Sequence, residues 1–322
     1  MPSVGRRRGG DDRSVDRWRT GITTVPEVRY TANLLDTDTD PRVWAASREA
    51  EGWHGLSVAD HLYTGNRAYP HVFVTAAALA MSTTRPTIST AFVNNLLRSP
   101  VEVAQAALQL HRLSNGRFEL GLGAGWADEE IIGASLPYPP PGERAGRFAE
   151  AARIIRELVH TGSCHFAGRH YSIDVPRLGP LSDTPPLLAG SVGGPRTARE
   201  VTPHLDRVEV KAQSAATRGG ALDLEVMAEV DEDHLVDMIA RVRAVRPDVE
   251  ISMFVLFGVG DDPVTTSVGA TMERGGGMFQ RFFGAPEHVT EGLAWLESLG
   301  VSSASLSPMS RGAFEQLAPY VL

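Results

Sequence analysis

The 322-residue chain has a single cysteine, Cys164, and lacks any long apolar run. One cysteine excludes an intramolecular disulfide and favours a reducing, cytoplasmic setting. No segment approaches the roughly 18 consecutive apolar residues that a membrane-spanning helix needs. Glycines and aspartates, rather than the apolar stretch of a secretory signal, follow the basic run Arg6–Arg8. The net charge is −8, with 31 basic against 39 acidic side chains. We therefore expect binding to neither nucleic acid nor membrane, since neutralising phosphates takes a clustered basic surface.

The first 26 residues differ in composition from the rest of the chain. They are rich in arginine, aspartate and glycine, and they bury too little apolar surface to offset the entropy of ordering. The whole chain, at 42% hydrophobic and 22% charged residues, has the composition of an ordinary globular protein. We predict a disordered N-terminal tail over residues 1–26 and one domain over residues 27–322.

Short β-rich runs alternate with helical patterns along this domain. Eightfold strand–helix alternation favours the α/β class and a single (β/α)8 TIM barrel with insertions in its βα loops. The alternative is an open doubly wound sheet, because strand order cannot be read from one sequence. The predicted strands are Val28–Leu34, Gly55–Ala59, Thr87–Phe92, Phe118–Leu122, Pro186–Gly190, Asp206–Lys211, Glu250–Val259 and Ser303–Leu306. The predicted helices are Pro41–Glu51, Val72–Ser82, Ser99–Leu113, Arg147–Thr161, Pro195–Thr202, Asp231–Arg246, Pro263–Glu273 and Pro286–Leu299.

Three connecting segments are expected to shape a substrate site. Residues 127–146 contain four prolines and cannot be helical throughout. Residues 162–183 have the pattern of a small hairpin excursion. Residues 274–283 include the run Gly275–Gly277, which is typical of a flexible loop.

Candidate functional residues follow the second and third strands, where a parallel barrel collects its functional groups. His61 suits acid–base chemistry, and Asp60 would either orient its imidazole or cap the next segment. Asn94 and Asn95 have amide side chains that can read the edge of a heterocycle. They are equally typical of turn residues.

Two glycine-rich turns follow the fourth and fifth strands. Gly123–Trp126 would let a flat ligand approach the backbone, or would serve packing inside the barrel. Ser191–Gly194 leads into a helix with Pro195 near its first position, an arrangement that favours an anion site over a mere tight turn. Lys211, at the end of the sixth strand, would contact an anionic substrate or pair with a carboxylate such as Glu209. No zinc-ligand spacing is present, so we predict no metal site.

These segments together resemble the luciferase-like monooxygenase superfamily of flavin- and deazaflavin-dependent barrel enzymes, and look closest to actinobacterial members assigned to the deazaflavin F420. The resemblance covers roughly residues 28–307. The segments that carry it are Ala59–Leu62, Asn94–Pro100, Leu113–Trp126, Gly190–Thr197 and Gly284–Val289.

The resemblance implies specific roles and a soluble flavoprotein-like oxidoreductase. His61 would be catalytic, beside the reactive edge of the ring, and a non-prolyl cis peptide would fall at Thr90–Ala91 or Ala91–Phe92. The residues implied to bind the cofactor, the last three through its phosphate, are Asn33, Asp60, Thr90, Ala91, Asn94, Gly123, Ala124, Gly125, Trp126, Ser191, Gly193 and Gly194.

The chain departs from the family pattern at several positions. His111 stands where an aspartate is usual. The sugar-phosphate-oxidising members carry a glutamate at the position of Ala124 and a tryptophan at that of Gly65, which puts glucose-6-phosphate chemistry in doubt.

We expect hydride transfer between F420 and a small organic substrate. The alternative is a monooxygenase that uses reduced FMN and O2 with a partner flavin reductase, and an alternative of another class is a non-catalytic flavin-binding accessory or sensor. Arg98, Arg196 and Arg281 are the candidates for binding the anionic F420 tail. A homodimer is a further expectation from the family.

Overall fold

The computed structural model describes residues 28–35 and 37–322, so the predicted tail lies outside the described residues. All eight predicted strands are present, with end points shifted by a few residues. They are β1 (Arg29–Leu34), β2 (Gly55–Val58), β3 (Thr87–Thr90), β4 (Phe118–Gly123), β5 (Leu187–Val192), β6 (Arg207–Val210), β7 (Glu250–Val259) and β8 (Ser303–Pro308).

These strands form a closed parallel barrel. Each pairs with its neighbours in chain order, and β8 returns to pair with β1, where Ser305 faces Thr31. On the other side of the ring, β4 pairs with β5. The predicted TIM barrel is therefore confirmed.

Helices surround the barrel, and all eight predicted helices are found. The helices are α1 (Pro41–Glu51), α2 (Val72–Ser82), α3 (Pro100–Leu113), α4 (Asp128–Gly133), α5 (Pro141–Thr161), α6 (Pro195–Val201), α7 (Leu224–Ala228), α8 (Glu232–Val245), α9 (Pro263–Gly275), α10 (Pro286–Ser298) and α11 (Ala313–Val321). Shorter elements are strands Tyr63–Thr64, Arg67–Ala68, Val93–Asn94, Cys164–Ala167, Ser172–Val175 and Phe283–Gly284, and 3-10 turns Thr202–His204, Ala212–Thr217 and Met278–Phe282. No helix in the described ranges is long and apolar enough to cross a membrane.

Local sequence explains where many helices begin. Proline occupies the first turn of α1, α3, α5, α6, α9 and α10, where its missing N–H costs nothing. The side chains of Asp40, Ser99 and Asp262 accept hydrogen bonds from the first backbone N–H groups of the helices that follow them.

The segments between these elements correct the prediction in places. Helix α5 begins at Pro141, six residues before the predicted start, because a proline is compatible with a first turn. Helices α4, α7 and α11 were not predicted. The expected flexible loop at 275–277 is packed instead: the N–H of Gly277 donates to the carbonyl of Ala228 at 2.9 Å, and a Cβ on Gly275 would lie 2.5 Å from the Cβ of Ala228.

The predicted hairpin is present at Cys164–Ala167 and Ser172–Val175. Three backbone N–H groups at its tip, those of Arg169, His170 and Tyr171, donate to the carboxylate of Glu150 on α5. This carboxylate fastens the tip to the helix.

Apolar side chains fill the layer between strands and helices, whereas the barrel interior is polar. Asn33 links three neighbouring strands, because it donates to Ser307 Oγ at 2.8 Å and accepts from Ser57 Oγ at 3.2 Å. A cavity inside the barrel is lined in part by Ser89, Glu209 and other polar groups. The polar interior continues to the carboxyl ends of the strands.

Candidate active site

His61 lies just beyond β2, and Glu130 of α4 holds its imidazole. Glu130 Oε1 lies 2.8 Å from His61 Nδ1, and Glu130 Oε2 accepts the backbone N–H of Leu62 at 2.6 Å. The Glu130 side chain is 0% exposed and that of His61 is 15% exposed. A carboxylate accepts hydrogen bonds and cannot donate them, so Nδ1 carries a proton and Nε2 is left for a ligand.

Aromatic rings flank this histidine. The ring of Trp126 lies edge-on to His61 with centroids 5.4 Å apart, and Tyr69 lies 5.3 Å away. The backbone carbonyl of Trp126 accepts the hydroxyl of Tyr138 at 2.8 Å, and the Arg144 guanidinium stacks on the Tyr138 ring. The segment after β4 is thereby held against His61.

Asp60 neither orients the imidazole nor caps the next segment, and its contact with the cofactor stays a prediction. Its carboxylate accepts the backbone N–H of Asn94 at 2.9 Å and two hydrogen bonds from Arg98, the shorter at 2.8 Å. Its side chain is 1% exposed, so it joins the end of β2 to the turn after β3 inside the protein. Glu130, rather than Asp60, orients the imidazole.

A non-prolyl cis peptide joins Ala91 to Phe92, at one of the two bonds where the resemblance predicts it. The Thr90 hydroxyl donates to the carbonyl of Gly121 at 2.8 Å and accepts its N–H at 2.9 Å. A Cβ on Gly121 would lie 2.0 Å from the Thr90 carbonyl oxygen, and one on Gly123 would lie 3.3 Å from Phe92 Cβ. These two glycines make room for the chain after β3.

The turn after β4 contacts the turn after β3. Gly125 has a φ of +81°, and a Cβ there would lie 2.4 Å from Asn94 Oδ1. Asn94 Oδ1 accepts the backbone N–H of Leu96, and Asn95 Nδ2 donates to the hydroxyl of Tyr171 at 3.2 Å. Ala124 and Trp126 are half-buried beside this contact. The hairpin tip thus reaches the rim through Tyr171.

The turn after β5 is tied to its neighbours. Gly194 N–H donates to Thr197 Oγ1, and the Ser214 hydroxyl donates to the carbonyl of Gly193 at 2.7 Å. Ser191 is half-buried at the end of β5. The contact of Ser191, Gly193 and Gly194 with a cofactor phosphate stays a prediction.

Charged residues line β6 inside the barrel. Arg207 forms an ion pair with Glu119 at 2.5 Å. Glu209 is buried, and burial raises the pKa of its carboxyl to about 8. Lys211 lies over the Trp126 ring, with Nζ 5.5 Å from the ring centroid, and burial lowers the pKa of its amine to about 8.

The three arginines considered for an anionic tail do not share partners. Arg98 pairs with Asp60, Arg196 with Glu200, and Arg281 with Glu232. Their contact with F420 stays a prediction.

The sequence predicted His61 and missed Glu130. Glu130 belongs to a run of three acidic residues, Asp128–Glu130, in a short helix, and no local pattern separates it from its neighbours. Its signal lies in the fold alone, through its burial beside His61.

The site suits a flat, largely uncharged ring. Trp126 is half-buried and offers apolar surface beside His61, and Ala91 and Phe92 are half-buried where the chain leaves β3. Within the described ranges, no cluster of histidine, cysteine or acidic residues that could hold a metal ion is present. These residues fit the ring system of a flavin or deazaflavin.

Comparison with known proteins identifies the family. A family model described as luciferase-like monooxygenase matches residues 39–248, more than half of the chain. An F420-dependent glucose-6-phosphate dehydrogenase from Amycolatopsis mediterranei is 30% identical over 161 residues, covering 48% of each chain. The match therefore spans about half the length of that relative.

Solved structures share the fold. One is an F420-dependent secondary alcohol dehydrogenase in complex with an F420-acetone adduct, with a TM-score of 0.72 and 17% identity over 92% of this chain and 98% of that one. A monooxygenase from Streptomyces bottropensis has a TM-score of 0.68 and 16% identity over 91% and 96%. The chain belongs to the luciferase-like monooxygenase family and has the TIM barrel that these solved structures share.

Proposed function

We propose that this protein transfers a hydride between the deazaflavin F420 and a small organic substrate. The observation that carries the proposal is the pair His61–Glu130, in which a buried carboxylate fixes an imidazole whose Nε2 is left for a ligand. The curated relative from Amycolatopsis mediterranei and the alcohol dehydrogenase of the same fold are both named as F420-dependent, which supports the choice of cofactor.

The chain's own residues would bind and orient the ring. The half-buried Ala91, Phe92 and Trp126 would cover it, and the Asp60–Arg98 pair would keep Asn94 at its edge through the Asn94 N–H. His61 Nε2 would exchange a proton at the reactive edge. Bound F420 supplies the hydride chemistry, and the protein supplies position and proton transfer.

The substrate is not carried over from the curated relatives. Ala124 and Gly65 stand where the sugar-phosphate-oxidising members have a glutamate and a tryptophan. We propose a small alcohol or carbonyl compound instead, since the two rings that contact His61, those of Tyr69 and Trp126, offer uncharged surface.

Calorimetric titration of the purified protein with F420 and FMN, each oxidised and reduced, tests the cofactor. We expect F420 to bind at least tenfold more tightly than FMN, a difference of about 1.4 kcal/mol. Preference for reduced FMN would instead support a monooxygenase with a partner flavin reductase. Binding of neither cofactor would support a non-flavin role.

Substitution of His61 tests the catalytic assignment. We expect His61→Ala to keep F420 affinity within about threefold while hydride transfer falls about 100-fold. His160→Ala, which alters an exposed histidine on α5, is the matched control. Full activity of His61→Ala would contradict the role assigned to this imidazole.

A further inference from the structure

Lys211 is the only lysine in the chain, and the other basic residues among the 31 are arginines. It follows β6 directly, at the end of the barrel where His61 lies. Its Nζ contacts the Trp126 ring at 5.5 Å, and the same ring contacts His61 at 5.4 Å. The indole of Trp126 therefore lies in contact with both the Lys211 amine and His61, the candidate catalytic histidine.

No hydrogen bond or ion pair of Lys211 Nζ is found with any residue of 28–35 or 37–322. The acidic group that acts on it is Glu209, two residues earlier on the same face of β6. Arg207, next along that face, is already paired with Glu119. Glu209 Oε1 is buried and has no hydrogen-bond partner among the described residues. Burial raises the pKa of this carboxyl to about 8, so at neutral pH it is mainly protonated. Lys211 consequently has no full counter-charge there.

The choice of lysine at this one position has a chemical meaning. An arginine guanidinium does not lose its proton in proteins, whereas a lysine amine does when burial disfavours its charged form. Burial lowers the pKa of Lys211 to about 8, so both its forms exist near neutral pH. An anion-binding role would need only a positive charge, and every other basic residue among the 31 is an arginine.

We propose that Lys211 is a second proton-transfer residue of the site, exchanging a proton with the oxygen atom of the substrate. The proposal rests on the proposed F420-dependent function. In alcohol oxidation the substrate C–H bond breaks and its hydride passes to oxidised F420. The O–H proton passes to the neutral amine of Lys211, and the carbonyl double bond forms. His61 supplies, from a protonated Nε2, the proton that accompanies the hydride onto the cofactor, while its Nδ1–H stays bound to Glu130. Carbonyl reduction reverses each transfer.

Acylation of the amine tests the proposal without turnover. The protein is treated with a trace of acetic anhydride between pH 6 and 11, and modification of Lys211 is followed by mass spectrometry. We expect a half-maximal rate near pH 8. The variant Arg218→Lys places a reference lysine at an exposed position of the same chain, and its modification should be half-maximal near pH 10.4. A Lys211 profile that matches the reference, or a Lys211 that reacts only after unfolding, would overturn the proposal.

Substitution separates proton transfer from charge. With 2-propanol and F420 as probes, we expect Lys211→Arg to lower kcat at least 100-fold with KM and F420 affinity changed less than threefold. In the unsubstituted protein kcat for 2-propanol oxidation should rise as pH increases through about 8, because the neutral amine accepts the proton. This rise should disappear in the variant. Two results together would overturn the proposal: Lys211→Arg keeps kcat, and only Lys211→Met raises KM. They would show that Lys211 supplies charge rather than transferring a proton. If 2-propanol is not turned over, the acylation profile alone decides. Failure of the unsubstituted protein to bind F420 would overturn the proposed function, and is read separately by calorimetry.

Discussion

Glu130 and His61 form a hydrogen-bonded pair, 2.8 Å between Oε1 and Nδ1, across 69 residues of sequence. The carboxylate comes from α4, an insertion after β4, whereas the imidazole comes from the end of β2. The second Glu130 oxygen accepts the N–H of Leu62, which fixes the backbone next to the histidine as well. The insertion thus determines the direction in which Nε2 points.

Replacing Glu130 by glutamine should weaken catalysis more than binding. Its two oxygens accept two N–H groups, and an amide has only one oxygen to offer them. We expect Glu130→Gln to lower kcat about 100-fold while F420 affinity changes less than threefold. Steady-state kinetics and calorimetry measure the two effects. Glu129→Gln alters the exposed neighbour, and an equal loss there would contradict the role of Glu130.

The buried pair Asp60–Arg98 should be important for stability. Their side chains are 1% and 12% exposed, and the Arg98 guanidinium also lies 5.5 Å from the ring of Phe73. We expect Arg98→Ala to lower the free energy of unfolding by about 3 kcal/mol, because it leaves a buried carboxylate short of partners.

Urea denaturation measures this loss. The control is Arg42→Ala, which breaks an exposed pair with Asp40 and should leave the unfolding midpoint unchanged. Equal midpoints for the two variants would show that burial of the Asp60–Arg98 pair does not matter.

Glu209 should make stability fall as pH rises. Burial raises the pKa of its carboxyl from 4.5 to about 8 in the folded state, so between these values the folded protein binds a proton that the unfolded chain has lost. Stability from this group is therefore complete below pH 4.5 and is lost as pH rises towards 8. Ser305, Arg207 and Lys211 face the carboxyl and favour its charged form, which limits the shift.

The variant Glu209→Gln removes this titration. We expect its stability relative to the unsubstituted protein to increase between pH 5 and pH 8, by roughly 3.5 kcal/mol. Thermal and urea unfolding at both pH values measure the change, with the exposed Glu102→Gln as control. A difference that does not change with pH would mean that Glu209 does not hold its proton.

Gly121 should tolerate no side chain. A Cβ would lie 2.0 Å from the carbonyl oxygen of Thr90 and 2.7 Å from the Phe92 ring, both in the chain that leaves β3. We expect Gly121→Ala to cost at least about 3 kcal/mol of unfolding free energy through overpacking. Gly219→Ala is the control, because no atom of the described residues lies within 4 Å of its Cβ position. An unchanged melting temperature for Gly121→Ala would contradict this.

Local pattern was sufficient to predict the barrel, and it was insufficient to predict how its turns connect. Strand runs and proline-initiated helices such as Pro100–Leu113 depend on nearby residues and were found where expected. The pairing of Glu130 with His61, and of Asp60 with Arg98, depends on which turns meet at the rim. Those meetings are set by closure of the whole barrel. Nothing close to Asp60 in sequence showed that its carboxylate would bind Asn94 and Arg98.

The hairpin of residues 164–175 contacts the rim at the carboxyl ends of the strands, although it begins at the opposite end of the barrel. The hairpin follows the end of α5 at Thr161, yet its tip binds Glu150, which lies eleven residues earlier and so about 16 Å back along the helix. Its Tyr171 contacts Asn95 in the turn after β3. The connection enters from the end of the barrel that usually serves stability alone. Insertions or deletions there can diversify the approach to the site in related chains while all eight βα loops stay unchanged.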